Sequence, residues 1–290
     1  DRAAKGTLTD LAGIGDTTST VIRESLAGQV PAYLAKLEAA LPTPKAPGKL
    51  QAAIKGDLHM HSDWSDGGSS IEEMVTAARD LGHEYVALTD HSPRLTVARG
   101  LTAERLREQI KIVKRLNKEM APFRILTGIE VDILENGALD QEEELLAELD
   151  VVVASVHSKL RMPAKEMTER MVIAVANPNT DILGHCTGRL LAGRGRPESE
   201  FDPDLVFEAC KQFGTAVEIN SRPERLDPPR RLLALAEEIG CMFSIDTDSH
   251  APGQLEWQTN GIERAEEIDL DPARVINTKS ADDLLAHLAN

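Results

Sequence analysis

Residues 56–66 read GDLHMHSDWSD, and the interpretation of the whole chain turns on this stretch. Side chains alternate faces along a strand, so His59 and His61 are expected to point one way, and Leu58 and Met60 the other way into apolar packing. Two imidazoles two residues apart can grip one metal ion from the end of a single strand. Asp66 follows a turn-prone Ser-Asp stretch, from which its carboxylate can curl back over the same ion. An HxH triplet alone also describes a pair of surface histidines, so further ligands elsewhere in the chain must decide.

Beyond Lys55, apolar β-branched runs alternate with amphipathic segments. Strands are predicted at 57–61, 85–89, 124–131, 151–157, 181–185, 216–220 and 242–246. Between most of them lie predicted helices, at 71–81, 103–120, 141–149, 164–176, 203–213 and 229–239. Near-continuous apolar strands separated by helices make a parallel sheet covered on both faces. Seven such units closing on themselves give an α/β barrel, whose active site forms at the C-terminal ends of the strands.

Each predicted strand carries chemistry at that end. The first ends in His59 and His61, with Asp66 just beyond, and the second in Asp90 and His91. The third carries Glu130 and Asp132, the fourth ends in His157, and the fifth in His185. The sixth ends in Asn220, Ser221 and Arg222, and the seventh in Asp248 and His250. Six of the eight histidines therefore gather on one rim, leaving only His83 and His287 elsewhere. Independent core histidines have no reason to choose the same rim. Six His and three carboxylates (Asp66, Glu130, Asp248) are too many ligands for one ion, since each takes three or four protein ligands plus water. The set fits three divalent ions, with a carboxylate such as Glu130 bridging two. Without a thiolate ligand, Mn²⁺, Fe²⁺ and Zn²⁺ all qualify. Closely spaced ions lower the pKa of a shared water and clamp phosphoryl oxygens, so the expected reaction is phosphoester hydrolysis.

Composition narrows the setting. The 290 residues suffice for one large domain plus an appendage, and the hydrophobic content is 41%. No run of about 18 apolar residues marks a membrane span. The first residues, DRAAKGTLTD, lack a secretory signal and an initiator Met, as in a fragment or a processed form. Three scattered cysteines (Cys186, Cys210, Cys241) fit reduced thiols in a cytoplasmic protein. The net charge of −16 excludes a broad electrostatic grip on nucleic acid. Its distribution is uneven, because residues 1–55 hold seven Lys/Arg against five Asp/Glu.

The motifs GDLHMHSDWSDG, ALTDHS, GIEVDI, ASVH, GHCTGR, EINSRPERLD and DTDSH resemble, in order, those of the polymerase-and-histidinol-phosphatase (PHP) phosphoesterases. The resemblance covers roughly residues 55–290. It implies a distorted (β/α)7 TIM-like barrel with a trinuclear metal site. By that resemblance His59, His61, Glu130 and Asp248 would hold one ion, Glu130, His157 and His185 a second, and Asp66, His91 and His250 a third. Glu130, His157 and Asp248 would be central to catalysis. An acid at Asp66, where some relatives have His, resembles the version fused to bacterial family X DNA polymerases.

The N-terminal segment agrees with that subfamily. TLTDLAGIGDTTSTVIRESLAG and the following QVPAYLAKLEAALP resemble a helix-hairpin-helix, assigned to residues 1–41, with a Pro/Lys-rich linker over 42–54 and the barrel over 55–290. In such a motif the backbone N–H groups near Gly13 and Gly15 contact a DNA phosphate. Asp16 sits where a cation would help, so a relic that packs without binding DNA stays open as the alternative. The linker leaves no room for a polymerase palm, and polymerase activity is not expected.

A phosphate substrate needs cations besides the metals. Arg94, Arg99, Lys159, Arg161, Arg189 and Arg222 follow ligand-bearing strand ends; of these Arg99, Lys159 and Arg222 are the favoured substrate contacts. Asp90 and Asp132 are candidates to orient ligand imidazoles, with an ordinary cap or loop role as the alternative for both, and Trp64 to stack a ring or anchor its loop. The expected substrates are DNA 3′ ends, acted on as a 3′-phosphatase, 3′–5′ exonuclease or abasic-site endonuclease. A small-molecule phosphatase acting on a compound such as histidinol phosphate is the alternative, followed by a silent scaffold. A monomer is compatible with all of these.

Overall fold

The computed structural model describes residues 1–40 and 48–289. By internal contacts the chain divides into two compact units, Asp1–Ala46 and Pro47–Asn290. In the first, a short 3-10 turn at Leu8–Asp10 leads to helix α1 (Asp16–Leu26), which packs on α2 (Ala32–Ala40). Gly13 bends the chain into α1 with φ +85°, a conformation that β-carbon-bearing residues rarely adopt. Gly15 is the N-cap of α1.

The second unit begins with α3 (Lys49–Ala53). Residues 42–47 of the expected linker lie outside the described residues. Over Lys49–Ala53 the linker expectation is corrected, because burying Leu50 against the core gives this short turn a tertiary reason to be helical. Strand β1 (Gly56–Met60) follows, then α4 (Ile71–Asp80), β2 (Tyr85–Leu88), α5 (Ala103–Glu119) and β3 (Arg124–Asp132). A single turn, α6 (Glu143–Leu146), precedes β4 (Val151–Ser155), α7 (Ala164–Val175) and the two-residue β5 (Ile182–Leu183). Then come α8 (Pro203–Phe213), β6 (Ala216–Asn220), α9 (Arg230–Ile239), β7 (Phe243–Asp246), α10 (Gln258–Glu266) and α11 (Ala281–Leu288). Local chemistry sets several helix starts. Ser70 and Glu73 form a reciprocal capping box on α4, Thr102 caps α5, and Asp202 caps α8 with Pro203 in its first turn.

The seven strands are parallel and hydrogen-bonded in sequence order, from β1 to β7. The seam between β7 and β1 closes partly through backbone bonds: Asp248 N–H donates to His59 O (2.9 Å) and His61 N–H to Ser249 O (2.8 Å). Buried carboxylates complete it. Asp246 Oδ1 accepts the Leu58 N–H (2.8 Å), and Asp57 Oδ1 accepts the Thr247 N–H (3.2 Å). Burial first, and neighbouring carboxylate charge second, raise both groups above the ordinary Asp range. This near-closed ring of seven strands agrees with the architecture expected from the alternation of strands and helices.

One local expectation fails. Leu58 and Met60 do not share an apolar face, because the β1–β2 register slips between Asp57 and Met60. Leu58 joins Tyr85, Ala87, Val151 and Val153, whereas Met60 joins Met74 and Val75 of α4. Among the described residues no helix is long and apolar enough to cross a membrane.

Candidate metal centre

Parallel strands deliver their C-terminal ends to one rim, and the nine expected ligands arrive there from six strands and the segments that follow them. Glu130, at 1% exposure, is the hub. Its Oε2 lies 3.4 Å from His59 Nε2, 3.5 Å from His61 Nε2 and 2.8 Å from His91 Nδ1. Its Oε1 lies 3.2 Å from His157 Nε2 and 2.8 Å from His185 Nε2. Asp248 Oδ1 is 3.5 Å from His61 Nε2. On the outer side Asp66 Oδ1 stands 3.4 Å from His91 Nε2 and 3.3 Å from His250 Nε2. Asp248 has φ +52°, an uncommon conformation for a residue with a β-carbon, held at the point where the chain presents two ligands.

Three groups have ligand atoms close enough to share an ion: His61, Asp66, His91 and His250; His59, His61 and Glu130; and His91, Glu130 and His157. The donor chemistry fits metals on independent grounds. His59 Nε2, both nitrogens of His61 and His157, His91 Nδ1, His185 Nδ1 and Glu130 Oε2 are buried without a hydrogen-bond partner. Buried polar atoms are normally paired, and five imidazoles crowded around one carboxylate leave lone pairs that a metal ion would satisfy.

The electrostatics of the apo cluster follow from this crowding. Burial alone would raise Glu130, but the His157, His91 and His59 charges hold it well below the usual range. Burial would also raise Asp248, yet Arg225 and the His61 hydrogen bond hold it down. His61 is driven well below its usual value by burial, then by the His250 and His91 charges. Burial, with Arg225 second, takes His185 to about 4. Burial opposes protonation of His91, but Glu130 outweighs it and moves that imidazole up to about 10.

A further shell orients the imidazoles. Glu218 Oε1 lies 2.5 Å from His59 Nδ1, while Glu218 Oε2 accepts the backbone N–H of His185 at 2.5 Å. Asp132 Oδ1 reaches His157 Nδ1 at 3.3 Å and accepts that residue's backbone N–H at 3.1 Å, which is the orienting role expected of it. Asp90 takes the other of its two expected roles, in a loop. Its carboxylate accepts from Ser62 Oγ, Ser65 Oγ and Gln109 Nε2, so it braces the loop between His61 and Asp66 rather than an imidazole. Trp64 sits half-buried on that loop against the apolar core, with the Arg105 guanidinium 5.8 Å from its ring centre.

The expected cations separate on inspection. A cavity of about 410 Å³ opens over Asp66, His91, His157, Asp248 and His250, and Arg222 lines it. Arg222 Nη1 donates to Asp248 O (3.4 Å) and lies 3.1 Å from His250 Nδ1. Arg99 and Lys159 are not among the lining residues. The Arg99 guanidinium is spent on the carbonyls of Asp63 and Ser65, and Lys159 is exposed at φ +54° in the turn after β4. Sequence reasoning missed Arg225, whose Nε lies 3.0 Å from Asp248 Oδ2 and whose buried Nη1 has no hydrogen-bond partner. It also missed Glu218. A lone acid inside the apolar run AVEIN was the available signal for Glu218, whereas Arg225 had no signal beyond its place in the motif EINSRPERLD.

Known proteins resemble the chain. The PHP domain model matches residues 57–222. The DNA polymerase/3′-5′ exonuclease PolX of Bacillus subtilis (strain 168) is 44% identical over 235 residues, covering 81% of this chain. The chain spans only 41% of that relative's length. A probable phosphatase of Caldanaerobacter subterraneus is 26% identical over 246 residues, covering 80% of this chain and 90% of that one. A solved structure of histidinol phosphate phosphatase from Lactococcus lactis, complexed with zinc, L-histidinol and phosphate, superposes with a TM-score of 0.56 at 19% identity. That superposition covers 75% of this chain and 95% of the other, and it bears on the fold.

Proposed function

The chain belongs to the PHP domain family and is a metal-dependent phosphoesterase, and we propose that it acts on phosphate esters at DNA 3′ ends through a trinuclear metal site. The observation that carries the reading is the Glu130 hub: one buried carboxylate within 3.5 Å of five imidazole nitrogens, with the acids Asp66 and Asp248 on its flanks. His59, His61, Asp66, His91, Glu130, His157, His185, Asp248 and His250 would hold the ions. When bound, Mn²⁺, Zn²⁺ or Fe²⁺ supplies positive charge to phosphoryl oxygens and makes water nucleophilic near neutral pH.

The remaining work belongs to the chain. Glu218 and Asp132 hold His59 and His157 so that their other nitrogens face the centre. Arg222 and Arg225 line the cavity as guanidiniums able to grip the non-bridging oxygens of a phosphate. Their contacts to Asp248 tie them to the ligand set, so substrate anchoring and metal retention share a carboxylate. Hydrolysis adds the water oxygen to phosphorus, breaks the ester P–O bond and returns a proton to the leaving oxygen.

DNA as substrate is supported by the similarity to PolX, whose name specifies a 3′-5′ exonuclease, and by the α1–α2 unit. There Gly13 and Gly15 bring the chain into the N-terminus of α1, where free N–H groups suit a phosphate. A direct test compares rates with added Mn²⁺ on a duplex bearing a recessed 3′-phosphate and on histidinol phosphate. Release of phosphate or nucleotides from DNA is expected. Turnover of histidinol phosphate alone would overturn the DNA assignment in favour of a small-molecule phosphatase. Removing residues 1–46 should weaken DNA binding and spare hydrolysis of an aryl phosphate, while unchanged DNA binding would make the α1–α2 unit a relic.

A further inference from the structure

Beside the metal centre lies a second cavity, of about 680 Å³, that none of the expected ligands enters. Its walls come largely from the long segment between β5 and α8. A turn pins that segment: Leu190 and Arg196 exchange backbone hydrogen bonds (3.0 and 2.9 Å) across Gly193 and Gly195, both at positive φ. Leu191 N–H then donates to Glu224 O at 2.6 Å, which fastens the turn to the loop after β6.

Charge along this wall is uneven. Glu198 is shared by Arg231 and by Arg189, whose Nη1 lies 3.7 Å away. Among the described residues Arg196 has no such counterion and its Nη groups have no hydrogen-bond partner; its Nε donates to Gly188 O at 2.6 Å. Ser199, 7% exposed, lines the same cavity with a buried hydroxyl that has no hydrogen-bond partner. Leu191, Phe201 and Leu232 supply apolar lining to the same cavity. Arg196 lines both cavities, so the space over the candidate metal ligands and the Arg196–Ser199 trough adjoin at this residue.

We propose that this trough is a second-phosphate subsite: Arg196 and Ser199 hold the phosphate next to the scissile one on the retained strand of a polynucleotide, and the apolar wall takes the adjoining sugar and base. The inference rests on the phosphoesterase reading above and sharpens it to a phosphodiester chain. A forked guanidinium with unpaired N–H groups beside a hydroxyl donor matches a phosphate. An acidic protein gains from one local cationic contact where the strand leaves the metal centre, because the rest of its field repels DNA. A monoester of a small alcohol has nothing to place there.

The experiment is a double cycle of protein and substrate changes. One oligonucleotide carries phosphate throughout; the other carries an uncharged methylphosphonate at the linkage next to the scissile bond. Arg196→Gln should lower kcat/KM on the first by roughly ten- to hundredfold, and differ from wild type by less than about twofold on the second. Arg196→Lys should recover part of the loss by keeping the charge without the fork. Ser199→Ala, a smaller change to the fold, should show the same coupling at roughly tenfold or less. Equal losses on both substrates would overturn the subsite, as would hydrolysis of p-nitrophenyl phosphate without any cleavage of DNA. Failure of the Mn²⁺-loaded wild type on p-nitrophenyl phosphate and on DNA alike would instead overturn the phosphoesterase reading beneath it.

Discussion

Replacing Glu218 by Gln changes one atom and should damage the metal centre without touching a ligand. Glu218 is fully buried and accepts on both oxygens: Oε1 from His59 Nδ1, Oε2 from the His185 N–H and from Asn220 Nδ2 (3.2 Å). A carboxylate can accept on both sides, whereas an amide must present NH₂ on one. Turned toward His185, that NH₂ meets two donors. Turned toward His59, it forces the proton onto Nε2, the nitrogen that faces Glu130 and must keep a lone pair for a metal. Asn220 cannot flip to help, because its Oδ1 accepts the Arg222 N–H and its Nδ2 also reaches Asp248 Oδ2 at 3.2 Å. A buried donor left unpaired costs about 1–3 kcal/mol. Loss of the carboxylate that orients a ligand imidazole costs roughly 10- to 100-fold in metal affinity. Metal content after equilibrium dialysis against graded Mn²⁺, together with thermal unfolding in EDTA, reads both quantities. For a unit of this size the melting temperature should fall by roughly 2–4 °C per kcal/mol. Wild-type affinity and an unchanged melting temperature in Glu218→Gln would refute the two-acceptor argument.

Two further outcomes follow from the same geometry. Glu130→Gln removes the charge that five imidazoles share, so turnover of an aryl phosphate should fall by at least roughly a hundredfold and bound metal should drop; normal metal content with retained turnover would refute the hub. His83 lies outside the candidate metal centre with a buried Nδ1 lacking a partner, and burial lowers it to about 4. The unfolded chain therefore binds the extra proton between about pH 6.5 and 4, so His83 contributes its full stability above pH 6.5 and loses it as the pH falls toward 4. In EDTA, denaturation of His83→Gln should lack up to about 1.4 kcal/mol per pH unit of the wild-type slope across that window, and parallel slopes would refute it.

The candidate metal ligands were legible because their positions follow from strand ends. A parallel barrel brings every strand's C-terminal end to one rim, so residues as distant in sequence as His59 and His250 can be assigned together from periodicity alone. The substrate cations were less legible. Arg222, two residues beyond β6, lines the cavity, but Arg99 and Lys159 sit at positive φ in turns whose direction no periodicity sets. Arg99 accordingly spends its guanidinium on the loop carbonyls of Asp63 and Ser65.

The amino-acid sequence alone carried the alternation of strands and helices and the convergence of nine candidate ligand residues on one rim. These depend on neighbours a few positions away or on the shared polarity of parallel strands. Only the tertiary structure decided that Leu58 and Met60 part company at a bulge, and that Asp90 braces a loop while Asp132 and Glu218 orient imidazoles. The same holds for the pairing of Arg225 with Asp248 and for the meeting of two cavities at Arg196. The physical reason is common to them all: a buried polar group takes whichever partner closure of the barrel places within about 3 Å, and that distance is set by residues remote in the chain.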